Sequence, residues 1–249
     1  LCSRAGIGWF YLLDSNSPLL GKYKSQLSCP AANNPTPMVF SQPYAVNLDQ
    51  TNILVLDSTN ACDSGLLNVE QYQNQFLLAK QMLSNLPTGF NILQTHRPMF
   101  GIDKLANVGS CGNSRDQGED QNFCPMSQTL QQANRLTGLT NYLQLLISGH
   151  MHRFQSISFE NAIYPDQLVV GTSGVHLAKN FPEKPTLLQI EKNTATVNGL
   201  SKYGYLKLEI PKAINQANKS PWNATLIAPD NKTILVCQAG LQNLCSPPN

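Results

Sequence analysis

Charge is scarce in this sequence. Asp, Glu, Lys and Arg make up 13% of the 249 residues, against a usual share of roughly a quarter, while Asn and Gln together reach roughly a fifth. Neutral amides have taken the place of charges. The formal net charge is only +2, and Lys and Arg gather nowhere into a patch, so the electrostatic footprint that a nucleic acid or an anionic membrane requires is missing. No apolar run approaches the roughly 18 residues of a membrane span. Low hydrophobicity with high net charge, the mark of disorder, is absent as well. The 41% hydrophobic content is ample for one large domain or two small ones. Cys-x-x-Cys spacing is lacking, which argues against a structural zinc site, and so is the Gly-x-Ser-x-Gly elbow of serine hydrolases. The first residues, Leu1 to Gly6, have neither an initiator Met nor a basic stretch leading into an apolar one. They are therefore not an intact signal peptide, and something upstream is expected to have been removed.

Seven cysteines are present, and disulfides are the better reading of them. Cys111 and Cys124 flank a polar loop, Cys237 and Cys245 bracket a short excursion near the C-terminus, and Cys29 with Cys62 is a weaker pair. The odd total leaves one thiol over, taken to be Cys2. Seven unpaired thiols acting as small buried hydrophobes is the competing account. Bridges imply an oxidising compartment, hence a periplasmic or secreted protein.

Periodicity divides the chain into α/β elements followed mainly by strands. Residues 1–40 are rich in Ser, Asn, Pro and Gly, with a short helix expected around Ile7 to Leu13. Tyr44 to Leu48 alternates, and Asn52 to Leu56 is a compact apolar run. Val69 to Leu86 repeats apolar residues near a 3.6 period and stops at Pro87, which predicts a helix. Phe90 to Gln94 predicts a second buried strand, Ser127 to Leu136 a second helix, and Tyr142 to Ile147 a third buried strand. Residues 101–125 lack periodicity and form a long loop that can act as a lid. Its Asp116, Glu119 and Asp120 are either a cation or specificity site or, more simply, a solvated acidic loop. Strands are expected at Arg153 to Phe159, Leu168 to Thr172, Tyr203 to Ile210, Trp222 to Ala228 and Thr233 to Gln238, the last two joined by a turn at Pro229 to Lys232. One domain over 1–210 and a small β hairpin extension over 211–249 are the expected organisation.

Each of the three buried strands ends in polar residues: Asp57-Ser58, then His96, then His150 and His152. That end of an α/β sheet is where ligands bind. The chain has four histidines, and three of them stand at two such strand ends. Neutral imidazole is the commonest metal ligand, and two histidines at i and i+2 behind a glycine turn can serve one pocket. His96 taken alone reads as well as an ordinary hydrogen-bonded residue, and His176 is left structural.

Thr95-His96-Arg97-Pro98 after one strand, and Ser148-Gly149-His150-Met151-His152 after another, resemble the C-terminal half of calcineurin-like metallophosphoesterases. Val55-Leu56-Asp57-Ser58 and Gly171-Thr172-Ser173-Gly174 look like further strand ends of that family, and the likeness covers residues 1–210. It implies part of a four-layer α/β/β/α sandwich. It also implies two divalent or trivalent metal ions (Zn, Mn or Fe), with His96 and His150 on one and His152 on the other. Arg97 is then a substrate-binding candidate that can pair with a phosphate oxygen, though an exposed salt-bridging Arg is an equal reading. The implied reaction is hydrolysis of phosphate mono- or diesters by a metal-bound hydroxide, on a small-molecule phosphoester or a phosphoprotein. Three family blocks, Asp-x-His, Gly-Asp-x-x-Asp and Gly-Asn-His, are absent from residues 1–249. They supply the bridging carboxylate, an Asn ligand and the catalytic His, so no catalytic residue is assignable. Cys2 to Trp9 resembles the segment directly after the Gly-Asn-His block in some bacterial members. The expectation is a chain lacking an N-terminal half of the sandwich, inactive and unstable or self-associating alone, with a bare sheet edge and core face where that half packs. The alternative is a degenerate, non-catalytic binding module with one structural zinc.

Overall fold

The computed structural model describes residues 42–58, 61, 65–104, 123–125, 127–160, 163–173, 176–179, 181–182, 184–211, 222–241 and 244–248. The expected N-terminal helix, Cys2, Cys29, Cys62 and Cys111, and the acidic residues of the long loop lie outside them.

Strands β1 (Tyr44–Leu48), β2 (Thr51–Leu56), β3 (Phe90–Thr95), β6 (Leu145–Ser148), β7 (Phe154–Phe159), β8 (Asp166–Val170), β9 (Thr186–Ile190) and β10 (Asn193–Leu200) form one sheet. Their order is β1-β2-β3-β6-β8-β7-β10-β9. The centre, β2-β3-β6-β8, is parallel, and both flanks are antiparallel. Helix α1 (Val69–Asn85) crosses from β2 to β3, and α2 (Gln128–Thr137) lies on the path from β3 to β6, as parallel pairing requires.

Alternation along the central strands explains their continuous apolar look. Leu54, Leu56, Leu93 and Leu146 face α1, α2 and the core that holds Tyr72, Phe76, Leu130 and Ala133. Ile53, Phe90, Ile92, Leu145 and Leu168 face the other way, onto a second layer. A strand buried on both faces has no place for a polar stripe. The helix buries Tyr72, Phe76, Ala79 and Leu83, a spacing of four, three and four residues that keeps one stripe against the sheet. Leu77, also apolar, falls off that stripe and is 48% exposed.

The second layer is the sheet β11 (Tyr205–Glu209), β12 (Asn223–Ile227), β13 (Thr233–Gln238) and β14 (Cys245–Ser246), all antiparallel. Its core centres on Trp222, the largest fully buried side chain among the described residues. A disulfide joins Cys237 to Cys245 across β13 and β14, as their spacing suggests. The layers are thus α/β/β, with helices on one face of the large sheet and a small sheet on the other. This corrects one expectation: the second face of the large sheet is not bare, because Trp222, Leu226, Leu235 and Leu244 cover its centre. Apolar residues of the large sheet left exposed, Val46, Leu48 and Leu187, lie on its two edge strands.

Several details differ from the sequence reading, and β8 runs over Asp166–Val170 where a strand over Leu168 to Thr172 was expected. Tyr142 belongs to a 3-10 turn, Leu139–Tyr142, which leads into β6 from Leu145. The long segment 101–125 is pinned at its two ends by a short antiparallel ladder, β4 (Ile102–Lys104) with β5 (Phe123–Pro125). Periodicity also overlooked the β9–β10 hairpin. Its turn is Glu191-Lys192, both at positive φ (50° and 66°), a primed turn without the Asn-Gly signature.

Candidate functional site

Register brings the strand ends level. Leu56 pairs with Thr95, Thr95 with Ser148, and Ser148 with Val169. The next residues along each strand, Asp57-Ser58, His96-Arg97 and Gly149-His150, therefore emerge along one edge. A hollow of about 320 Å³ opens there, lined by Asp57, Thr95, His96, Ser148 and Gly149 with Leu56 and Val170.

Backbone geometry explains how His150 and His152 come to stand there. Gly149 N–H donates to the His96 carbonyl (3.1 Å), tying the two loops, and Met151 N–H donates to the Gly149 carbonyl (2.9 Å). His150 and His152 both take left-handed φ (70° and 51°), a conformation that costs a non-glycine residue about 1–2 kcal/mol. Between them Met151 is buried against Val169 and anchors the turn. Close approach from below is also required. A Cβ on Gly171 would lie 2.7 Å from the His152 backbone nitrogen, so only glycine lets the end of β8 run beneath this loop.

The first histidine loop has no sheet ladder, and buried side chains answer its backbone groups instead. Arg97 N–H donates to Ser58 Oγ (2.7 Å), and Thr95 Oγ1 donates to the Arg97 carbonyl (2.7 Å). Gln131 Nε2 donates to the Met99 carbonyl (2.9 Å), and Gln167 Oε1 accepts from Phe100 N–H (3.0 Å). Gln155 satisfies both groups of Ile102. Ser58, Gln131, Gln155 and Gln167 are all buried. Irregular buried backbone needs such partners, since each orphaned group costs about 1–3 kcal/mol. Arg153, 1% exposed, does similar work beside His152: it pairs with Asp103 at the root of the long loop (2.8 Å) and donates to the Lys179 carbonyl (3.0 Å).

Two of the three expected ligands meet. His150 Nδ1 lies 3.2 Å from His96 Nε2, with the rings edge to face. On the other side, the Arg97 guanidinium is 2.9 Å from His150 Nε2. Arginine only donates, so His150 Nε2 accepts, its proton sits on Nδ1, and Nδ1–H donates to His96 Nε2. His152 is exposed, and among the described residues no three of His, Cys, Asp or Glu gather closely enough to hold a metal ion. His176 is exposed in the segment after β8.

A fit to a metal can be tested on the ring pair. Two Zn–N bonds of about 2.0–2.1 Å at the tetrahedral angle set ligand nitrogens about 3.3 Å apart. The observed 3.2 Å matches two corners of one such site. The described residues do not match a two-metal centre.

Comparison with known proteins gives structural likeness only. No family model matches this sequence, and no curated protein does either. A purple acid phosphatase, PPD1 from yellow lupin seeds, superposes with a TM-score of 0.46 at 14% identity, over 77% of this chain and 31% of its own. GAP50, the anchor in the inner membrane complex of Plasmodium, superposes at 0.40 and 10% identity, over 78% and 51%. The chain thus spans 31% of the length of the first of these structures and 51% of the second. Among the described residues no helix is long and apolar enough to cross a membrane.

Proposed function

We propose that this chain supplies the histidine side of a metal-dependent phosphoesterase site, as the C-terminal portion of an enzyme that hydrolyses phosphate mono- or diesters. The observation that carries the reading is the 3.2 Å approach of His96 Nε2 and His150 Nδ1 at the level ends of parallel strands. His96 and His150 would hold one cation, which supplies polarisation of a phosphoryl oxygen and activation of water. The resemblance alone assigns His152 to a second cation.

The rest depends on protons held by this chain's own atoms. When His96 Nε2 and His150 Nδ1 both act as ligands, the shared proton leaves Nδ1 and the His150 proton resides on Nε2. That N–H then faces the Arg97 guanidinium, donor against donor at 2.9 Å. Arg97 must turn off the ring, and the donor that faced His150 can then be offered to a phosphoryl oxygen. Arg97 is thus the substrate-binding residue of the proposal. Asp57, Thr95 and Ser148 line the hollow beside it.

Calorimetric titration with Zn²⁺ tests the reading: one ion per chain for the native sequence, and binding weakened more than tenfold in His96→Ala and His150→Ala. Turnover of p-nitrophenyl phosphate or its bis ester is expected of a protein that also carries the upstream carboxylate blocks, and not of these 249 residues alone. A second reading, a non-catalytic module of the same fold whose histidines are remnants, draws on the exposure of His152. Turnover in the longer protein, lost in its His150→Ala form, separates the two.

A further inference from the structure

Beneath the histidine loops lies one side chain that touches the first loop and the strand residue just before the second. Gln167 sits in β8 and is wholly buried. Its Nε2 donates to Ser148 Oγ (3.1 Å), and its Oε1 accepts from the Phe100 N–H (3.0 Å). Ser148 closes β6 two residues before His150, and Phe100 comes after His96 in the first loop. The backbone at Gln167 is itself held from both sides, paired with Leu146 of β6 and with Ile157 of β7. The amide therefore projects from a fixed point in the middle of the sheet, with one end addressed to the first loop and the other to the end of β6.

Only a carboxamide suits this position. A bracket between a hydroxyl oxygen and a backbone N–H needs one donor and one acceptor on a neutral group. Glutamate would bring a buried charge with no donor for Ser148, and an apolar residue would leave the Phe100 N–H unanswered. Ring nitrogens 3.2 Å apart are near the outer limit for a hydrogen bond. Movement of either loop by a few tenths of an ångström is enough to end the contact.

We propose that Gln167 is a positioning residue that sets the His96–His150 separation, and through it the affinity of the cation site. The proposal rests on the metal reading for what the ring pair holds, but not for the pairing of the rings. Outer groups that orient ligands typically affect metal affinity ten- to hundredfold.

The test uses the whole chain with Gln167→Met, which keeps volume and removes both bonds, and Ser148→Ala, which removes one. Trp222→Phe, in the second layer, controls for stability loss away from the loops. Ring ¹⁵N shifts, read through carbon-bound protons in metal-free protein, report the tautomers that the His96–His150 bond fixes, and Zn²⁺ titration reports affinity. Gln167→Met is expected to average those tautomers and weaken Zn²⁺ binding ten- to hundredfold. Ser148→Ala should move both in the same direction by less, and Trp222→Phe should leave both unchanged at a lower Tm. Native tautomer shifts in Gln167→Met overturn the proposal, as they do in Ser148→Ala if Gln167→Met does not fold. If the native chain shows the fixed tautomers but takes no Zn²⁺, the metal reading fails, and the Gln167 proposal is judged on the tautomers alone.

Discussion

Gly171→Ala isolates the close approach that shapes the second histidine loop. Two effects oppose each other. Replacing glycine restricts the unfolded chain and favours the native state by about 0.4–1 kcal/mol when the backbone tolerates a side chain. Gly171 φ lies outside the left-handed region, so torsion is no obstacle. Space is the obstacle. The new Cβ would stand 2.7 Å from His152 N, 3.2 Å from His152 Cα and 3.4 Å from Arg153 N. All three are backbone atoms that cannot rotate away, and the Gly171 N–H to Arg153 carbonyl bond (3.1 Å) holds the strands together at that level. Overpacking of this kind costs about 1–3 kcal/mol, and at about 2–2.5 kcal/mol for contacts with fixed backbone atoms the clash wins, with a net loss of about 1–2 kcal/mol. In a domain of this size each kcal/mol lowers Tm by about 2–4 °C, giving a fall of about 2–8 °C in a thermal melt. Gly149→Ala is the paired control. Its Cβ would meet only the His96 carbonyl oxygen at 3.9 Å, again without a left-handed φ, so stability should be unchanged or slightly raised. A Gly171→Ala protein as stable as the native one, or a Gly149→Ala protein that loses more than Gly171→Ala, would refute the steric account.

Three other perturbations test separate parts of the structure. Arg153→Met removes a buried guanidinium that pairs with Asp103 and donates to the Lys179 carbonyl, and should cost about 1.5–3 kcal/mol by urea unfolding. Burial, and then the Glu191 carboxylate that accepts from its hydroxyl at 2.7 Å, push the Tyr164 phenol above its ordinary 10.0. The native state thus binds that proton more tightly than the unfolded chain, so the contribution is complete below about pH 10 and fades as pH climbs further. Tyr164→Phe should flatten the decline of Tm between pH 9.5 and 11, taken as roughly the window above the unfolded value. Replacing Cys237 and Cys245 by Ala opens a ring of sequence separation 8 and should cost about 2.5 kcal/mol on chain-entropy grounds; an unchanged urea midpoint would deny the bridge any such part.

What the sequence made legible is what periodicity and strand-end chemistry encode. β2, β3 and α1 stand within about one residue of their expected bounds because each is a buried apolar run or stripe with a clear stop. The nearness of His96 and His150 follows for a related reason: His96 directly follows β3, His150 comes two residues after the end of β6, and the level register of the two parallel strands does the rest. Glu191-Lys192 hid a hairpin because its left-handed residues are not the usual turn formers. Layering was harder still. β11 to β14 read as strands, but nothing in their alternation says against which face of which sheet they pack. The supports of the site were visible only as an oddity of composition. Gln131, Gln155 and Gln167 contribute to the amide excess, and no local pattern tells a buried glutamine that answers a loop N–H from one in solvent. Arg97 reads from the sequence equally as a substrate-binding or an exposed salt-bridging residue, and spacing could not foresee its contact with His150 Nε2.

The central claim is that His96 and His150 are co-ligands of one cation. Calorimetric titration of the metal-free chain with Zn²⁺, alongside His96→Ala, His150→Ala and His176→Ala, tests it most directly. The account predicts one ion bound by the native chain and by His176→Ala, and binding weakened more than tenfold when either member of the pair is removed. Undiminished binding in His150→Ala, or no binding by the native chain, would contradict it.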